Sequence, residues 1–288
     1  IFMGGGTPSL FSESAIASIL DCVREHYHLS DSAEITLEAN PGTFEVERFA
    51  GYASAGVNRL SLGVQSFSDQ ALKRLGRIHS GQEAYDAVSC AKKLPFSSLN
   101  IDIMYALVEQ TFDEALSDLD MACGLSPEHI SWYELTIEPR TAFYKRRPSI
   151  PSVDLAYEMS QAGLLKLEQH DYKRYEISAF CQNGYAADHN MNVWQFGDYI
   201  GVGAGASGKI TNYSDKLSVV RTEKYANPKR YQSDPKAFSK QQIVEHDDLL
   251  FELPLCCLRL VEGMTWSQVE QRAGERLVND LKAKLSQL

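Results

Sequence analysis

Four polar residues interrupt apolar runs at spaced intervals: Glu38 in TLEAN, Gln65 in LGVQSF, Asp102 in NIDIMY and Glu134 in WYELTIEP. A polar group inside an apolar strand costs stability unless it has a partner. One such residue reads as a satisfied core hydrogen bond. Four, each near the end of a β-rich run, point to one shared site, with carboxylates to take hydroxyl or cationic groups and an amide to orient them. A glycine loop, GGGTP from Gly4 to Pro8, follows the apolar residues Ile1 to Met3 at the corresponding place. Glycine has no Cβ, so a ligand can reach the backbone N–H and C=O groups there. The loop lacks the GK[ST] of a P-loop and does not imply a nucleoside triphosphate.

Other segments carry weaker signals. GVGAGASG contains a formal GxGxxG at Gly203, Gly205 and Gly208, but KITNYSDK after it offers no helix, so a dinucleotide fold does not follow. The run DYIGVGAG is better read as a strand packed closely against a neighbour or ligand. HNMNVWQFGDY is dense in polar and aromatic residues. Its His189 is open to three readings: ligand, acid or base, or buried hydrogen-bonded histidine. The six cysteines are Cys22, Cys90, Cys123, Cys181, Cys256 and Cys257, and none is spaced as CxxC or CxxxC. Most sit in apolar runs and read as buried free thiols, not as a metal site.

The elements that must position these residues alternate. Helical spacing runs over Ser14–Leu29, Val46–Gly56, Ser80–Leu94, Thr111–Leu125 and Val153–His170. Strand-like runs cover Glu34–Asn40, Asn58–Phe67, Ser97–Leu107, His129–Ile137 and Tyr172–Phe180. Thr111 with Glu114 makes a capping box, and Gly56 a C-cap. Strands separated by single helices mean βαβ units and a parallel sheet, with ligands at the C-terminal strand ends. Near residue 210 the pattern gives way to a polar stretch without period, and from Glu245 it turns helical again.

Composition bounds the rest. The 288 residues carry 28 basic and 38 acidic side chains, a net charge of −10. That argues against non-specific nucleic-acid binding, which needs a basic surface, while leaving room for a local basic pocket. No apolar run reaches the roughly 18 residues of a membrane helix, so a cytoplasmic location is the expectation.

GGGTPSL, LEANPGT, RLSLGVQSF, LGRIHS, NIDIMY, HISWYELTIEPRTAFYKR and HN…W…GDYIGVGAGASG occur in this order along the chain. Together they resemble the radical S-adenosylmethionine proteins of the oxygen-independent coproporphyrinogen III oxidase family, and within it the HemW-type haem chaperones. The resemblance implies an α/β architecture: a partial (β/α)6 radical-SAM barrel over 1–210, with its first unit missing. A connecting region follows at 211–244, then a small, mainly helical C-terminal domain at 245–288 that stops early. In the family, GGGTP follows a segment with a CxxxCxxC motif whose thiolates hold a [4Fe–4S] cluster. The implied cluster ligands therefore lie outside this chain.

By motif position, Gly5, Gly6 and Thr7 would line the methionine end of S-adenosylmethionine. Glu38 would take the ribose hydroxyls, Gln65 and Asp102 would lie around the ribose and sulfonium, and Arg77 would pair with the carboxylate. His189 matches the histidine of an HNxxYW motif and becomes the candidate haem contact. Val193 stands in place of the tyrosine, Ser207 in place of a histidine in GAGAHG, and ALVEQT in place of GLPGQT. The resemblance implies haem or porphyrin as partner, names no haem-accepting protein, and leaves homodimer formation and membrane association open. It also carries an alternative function, radical oxidative decarboxylation of coproporphyrinogen III.

Overall fold

The computed structural model describes residues 1–139, 141–212 and 218–286. The chain divides into two compact units, Ile1–Ala187 and Asp188–Leu288.

The first unit is a seven-stranded sheet with helices. Its strands are β1 Phe2–Met3, β2 Thr36–Ala39, β3 Arg59–Gln65, β4 Ser98–Tyr105, β5 His129–Glu134, β6 Lys173–Glu176 and β7 Ala179–Cys181. Between them run helices α1 Glu13–His26, α2 Thr43–Val46, α3 Phe49–Ala55, α4 Asp69–Leu75, α5 Gly81–Ala91, α6 Phe112–Gly124, α7 Ala142–Arg146 and α8 Val153–Gln169. The sheet order is β1-β2-β3-β4-β5-β7-β6, with β1 through β5 mutually parallel. The predicted capping box at Thr111 and Glu114 starts α6, and Gly56 ends α3 in the left-handed conformation.

Residue alternation explains how this sheet works. In β3 the apolar Leu60, Leu62 and Val64 alternate with Arg59, Ser61, Gly63 and Gln65. In β4, Leu99, Ile101 and Ile103 alternate with Ser98, Asn100 and Asp102. Successive strand side chains point to opposite faces. The apolar set packs with Ile16, Leu20, Phe49, Tyr52, Val88, Leu119 and Met159 of the helices in one core. Full burial of each large apolar side chain contributes about 1.5–3 kcal/mol. The other set forms a polar inner face.

The run Tyr172–Phe180, read from sequence as one strand of a parallel sheet, is instead the antiparallel hairpin β6–β7. Glu176 Oε1 accepts hydrogen bonds from Ser178 N at 3.2 Å and Ser178 Oγ at 3.0 Å and closes the turn. β7 then pairs antiparallel with β5.

The second unit comprises α9 Asp188–Trp194, β8 Ser207–Asn212, β9 Ser218–Glu223, α10 Pro228–Ser233, β10 Lys240–Val244, α11 His246–Cys257 and α12 Trp266–Leu285. The three strands form an antiparallel sheet in the order β10-β9-β8. The boundary between compact units thus falls at 187/188, not at 210, and the expected connecting region 211–244 carries sheet strands; residues 213–217 within it lie outside the described residues. The polar look of this stretch has a physical cause. β8 buries Gly208, Lys209 and Thr211, so its inward face is not apolar. Lys209 Nζ donates to Phe196 O at 2.9 Å, Asp198 Oδ1 at 2.8 Å and Thr211 Oγ1 at 3.0 Å, which satisfies all three of its donors. The run DYIGVGAG is not the expected strand, since it makes only an isolated bridge, Tyr199 to Lys209. The expected close packing is present, as a Cβ on Gly201 would stand 2.2 Å from Ser207 O. The helical C-terminal part is α11 and α12, packed through Leu249, Leu250, Leu253, Leu277 and Leu281.

Candidate cofactor cleft

The polar inner face ends in a cleft at the C-terminal ends of β2, β3 and β4, holding about 490 Å3 of empty space. Gly6, Thr7, Glu38, Gln65, Arg77 and Asp102 all line it. Gly5 joins them through its amide, which donates to Glu38 Oε2 at 2.9 Å. Six of the seven residues predicted for S-adenosylmethionine therefore border one space, and the seventh is bonded to its wall.

The glycine loop leaves its backbone bare. Gly5 and Gly6 have φ of 75° and 56°, in the left-handed region that favours glycine, and a Cβ on either would meet nothing within 4 Å. On Gly4, by contrast, a Cβ would stand 2.8 Å from the Glu38 carboxyl carbon. The loop therefore lies directly against that carboxylate.

Gln65 is set by an irregularity. The β3–β4 register shifts between Leu62 and Gln65, and Gln65 takes a φ of 68°. Tyr133 Oη donates to Gln65 Oε1 at 2.7 Å and fixes its amide. Behind it, Asp118 on α6 accepts from Ser66 Oγ at 2.6 Å and from Phe67 N at 2.7 Å, clamping the turn after β3. Arg77 follows Gly76 at the end of α4, and its Nη1 reaches Asn40 Oδ1 at 3.4 Å. His79 anchors this loop by an Nε2 contact to Val64 O at 3.2 Å, and burial pulls its imidazole below the usual histidine range. The Ser80–Glu83 capping box then starts α5.

The electrostatics follow from this crowding. Burial raises the Glu38 carboxyl, the Gly5 amide opposes it, and the neighbouring Asp102 raises it further. Burial also raises Asp102, opposed by the hydrogen bond from Asn100 and by the Arg59 guanidinium. Two carboxylates in one polar cleft favour a ligand with hydroxyls and a positive charge, and the Arg77 guanidinium at its rim favours a carboxylate. S-adenosylmethionine has all three: ribose hydroxyls, a sulfonium and an amino-acid carboxylate. The bare Gly5–Gly6 backbone beside these groups fits it.

Two predicted features fall elsewhere. Glu134 is exposed at the end of β5 and does not line the cleft; Tyr133 is the β5 residue that faces this side. His189 lies on α9 in the second unit and is partly buried. The cysteines do not fit an iron–sulfur cluster. Among the described residues no group of three or more His, Cys, Asp or Glu could hold a metal ion. Burial pushes the Cys123 thiol up to about 12 and Cys257 to about 11, the opposite of what a thiolate ligand needs. The sequence reading missed Asn40, Ser61 and Tyr133. The alternation in RLSLGVQ marks Ser61, and that in HISWYE marks Tyr133.

The radical SAM superfamily matches over residues 1–122. "Heme chaperone HemW" of Escherichia coli K12 is 47% identical over 263 residues, which is 91% of this chain and 69% of that protein. The protein of the same name from Haemophilus influenzae is 44% identical, over 95% of this chain and 71% of its own length. A zebrafish protein, "Radical S-adenosyl methionine domain-containing protein 1, mitochondrial", is 35% identical over the whole of this chain and 68% of its own. Among solved structures, Escherichia coli coproporphyrinogen III oxidase (HemN) superposes with a TM-score of 0.77 at 20% identity. That likeness covers 94% of this chain and 65% of the oxidase, and it establishes the radical-SAM fold. The chain belongs to the HemW haem-chaperone family of radical S-adenosylmethionine proteins.

Proposed function

We propose that this chain is the cofactor-holding and haem-binding part of a haem chaperone, which takes up haem and hands it to an acceptor. The observation that carries this reading is the 47% identity to the Escherichia coli haem chaperone over 91% of the chain. Gly5, Gly6 and Thr7 receive the methionine amino and carboxylate end of S-adenosylmethionine, and the planar fork of Arg77 takes its carboxylate. Glu38 accepts the ribose hydroxyls. Gln65 and Asp102 lie beside the ribose and sulfonium, with Asp102 supplying negative charge near the cation. Together with a [4Fe–4S] cluster, S-adenosylmethionine supplies reductive radical chemistry; the cysteines of this chain do not furnish the cluster's ligands. Haem binds through the imidazole of His189, a common axial ligand.

Transfer tests the function. The chain is loaded with haemin and mixed with excess apomyoglobin as a generic acceptor. The expected result is a Soret band that moves to that of the loaded acceptor, faster than from a serum-albumin control. Retention of haem by the chain, or transfer no faster than from albumin, contradicts the chaperone reading.

A further inference from the structure

The polar inner face holds more than the cleft uses. Asn100 on β4 and His129 on β5 are 3% and 1% exposed, and neither lines the cleft. Their protons can be assigned from their partners. Asn100 Nδ2 lies 2.9 Å from Asp102 Oδ1 and 2.8 Å from Ser61 Oγ. Asn100 Oδ1 lies 2.6 Å from His129 Nδ1 and 3.1 Å from Ser131 Oγ. Burial raises the Asp102 carboxyl. With Asp102 ionised it can only accept, so turning the amide over would set two acceptors against each other, and the NH2 group faces Asp102. Oδ1 then accepts, and His129 must carry a proton on Nδ1. Burial and the Arg59 guanidinium hold His129 well below the usual histidine range, so the ring is neutral and has only that one proton. Its Nε2 is left as an acceptor and takes the Tyr175 hydroxyl proton at 2.8 Å. The Tyr175 oxygen in turn accepts the Ala187 amide at 3.3 Å. Donation runs one way throughout: Ala187 N–H, Tyr175 O–H, His129 Nδ1–H, Asn100 Nδ2–H, Asp102 carboxylate.

We infer that Asn100, His129 and Tyr175 are positioning residues that orient Asp102 and hold it as an anion facing the bound sulfonium. The inference rests on the cleft being the S-adenosylmethionine site. A buried carboxyl without donors would protonate and lose its attraction for the cation. Asn100 supplies the shortest donor, at 2.9 Å beside Ser61 Oγ at 3.4 Å and a further bond from Ser131, and neutral His129 prevents the amide from turning over. A protonated imidazole would put a like charge behind the sulfonium, whereas the neutral ring with Tyr175 on Nε2 adds none. Polarisation along such a chain strengthens its last bond.

The test compares S-adenosylmethionine with S-adenosylhomocysteine, its neutral thioether analogue, by calorimetric titration of the 288-residue chain. Asp102→Asn should abolish the preference for the cation. Asn100→Ala should cut that preference about tenfold, and should add nothing in the Asp102→Asn background, as groups acting through one another do. An unchanged preference in folded Asn100→Ala overturns the positioning role. A preference untouched by Asp102→Asn shows instead that the sulfonium does not meet Asp102, and the proposal falls with that reading. A second measurement needs neither ligand nor a drastic variant. Nitrogen-15 NMR of the imidazoles should show His129 protonated on Nδ1 alone, with mixed tautomers in Tyr175→Phe. Protonation of His129 on Nε2 overturns the chain by itself.

Discussion

Single residues in this protein are held by specific donors, and one of them gives a pH prediction. Asp118 bonds Ser66 and Phe67 behind the cleft, and burial raises its carboxyl from 3.8 to about 6. A raised acid binds more protons folded than unfolded between these values, so stability falls as pH rises through about 4 to 6 and is flat above. The whole effect is about 3 kcal/mol at most. The substitution Asp118→Asn would mimic the protonated form, the new amide oxygen accepting from Phe67 N and the NH2 group donating to Ser66 Oγ. Urea denaturation of Asp118→Asn at about pH 4.5 and about pH 7.5 should therefore lack the loss seen in the natural chain. An equal loss in both would place the titrating group elsewhere. Much of the site was legible at this scale. Glu38, Gln65 and Asp102 stand out as polar residues in apolar strands, and the structure brings them to one cleft. Glu134 shares that sequence signature but faces solvent, because a strand end has two faces and a lone polar residue does not say which. Asn100 and His129 went unread for the opposite reason. They lie mid-strand or at a strand start, where a polar residue looks like a flaw until its cross-strand partner is known.

The elements are positioned by close backbone approaches as much as by side chains. α5 begins at Gly81, where a Cβ would stand 1.9 Å from Phe67 O and 2.7 Å from its carbonyl carbon. The obstacle is backbone, so it cannot rotate away. Gly81→Ala should push α5 off the turn after β3 and destabilise the protein by about 3 kcal/mol, the upper range for overpacking. A thermal melt checks this, and an unchanged transition would mean that the two elements do not touch. The Ser80–Glu83 capping box would survive such a change, so loss of capping would not confuse the result. The βαβ rhythm was readable because each helix carries an apolar stripe and each strand an apolar face. RLSLGVQ alternates strictly and SLNIDIMY alternates as far as Ile103, which announces a sheet with one polar face. That distinguishes a barrel wall around a polar interior from a strand buried on both sides. The β6–β7 hairpin stayed hidden because its turn is made by Glu176 and Ser178, without the glycine or proline that usually marks one. Strand β8 of the second unit stayed hidden because Lys209 and Thr211 are its buried side chains in place of apolar ones.

At the scale of the whole molecule, two compact units meet in sequence at Ala187 and Asp188, immediately before the HN…W segment. The motifs on either side read as one continuous series, so composition gave no boundary there; the shift near residue 210 marks polar strands, not the edge of a unit. The first unit carries the polar cleft, and the second carries His189. Among the described residues no helix is long and apolar enough to cross a membrane. The central claim is that this chain binds haem and that His189 is its contact. It is tested most directly by titrating the protein with haemin, followed through the Soret band, beside His189→Ala. The account predicts saturable one-to-one binding that weakens about tenfold, or about 1.4 kcal/mol, in the variant. Equal, unsaturable binding in both proteins would contradict it.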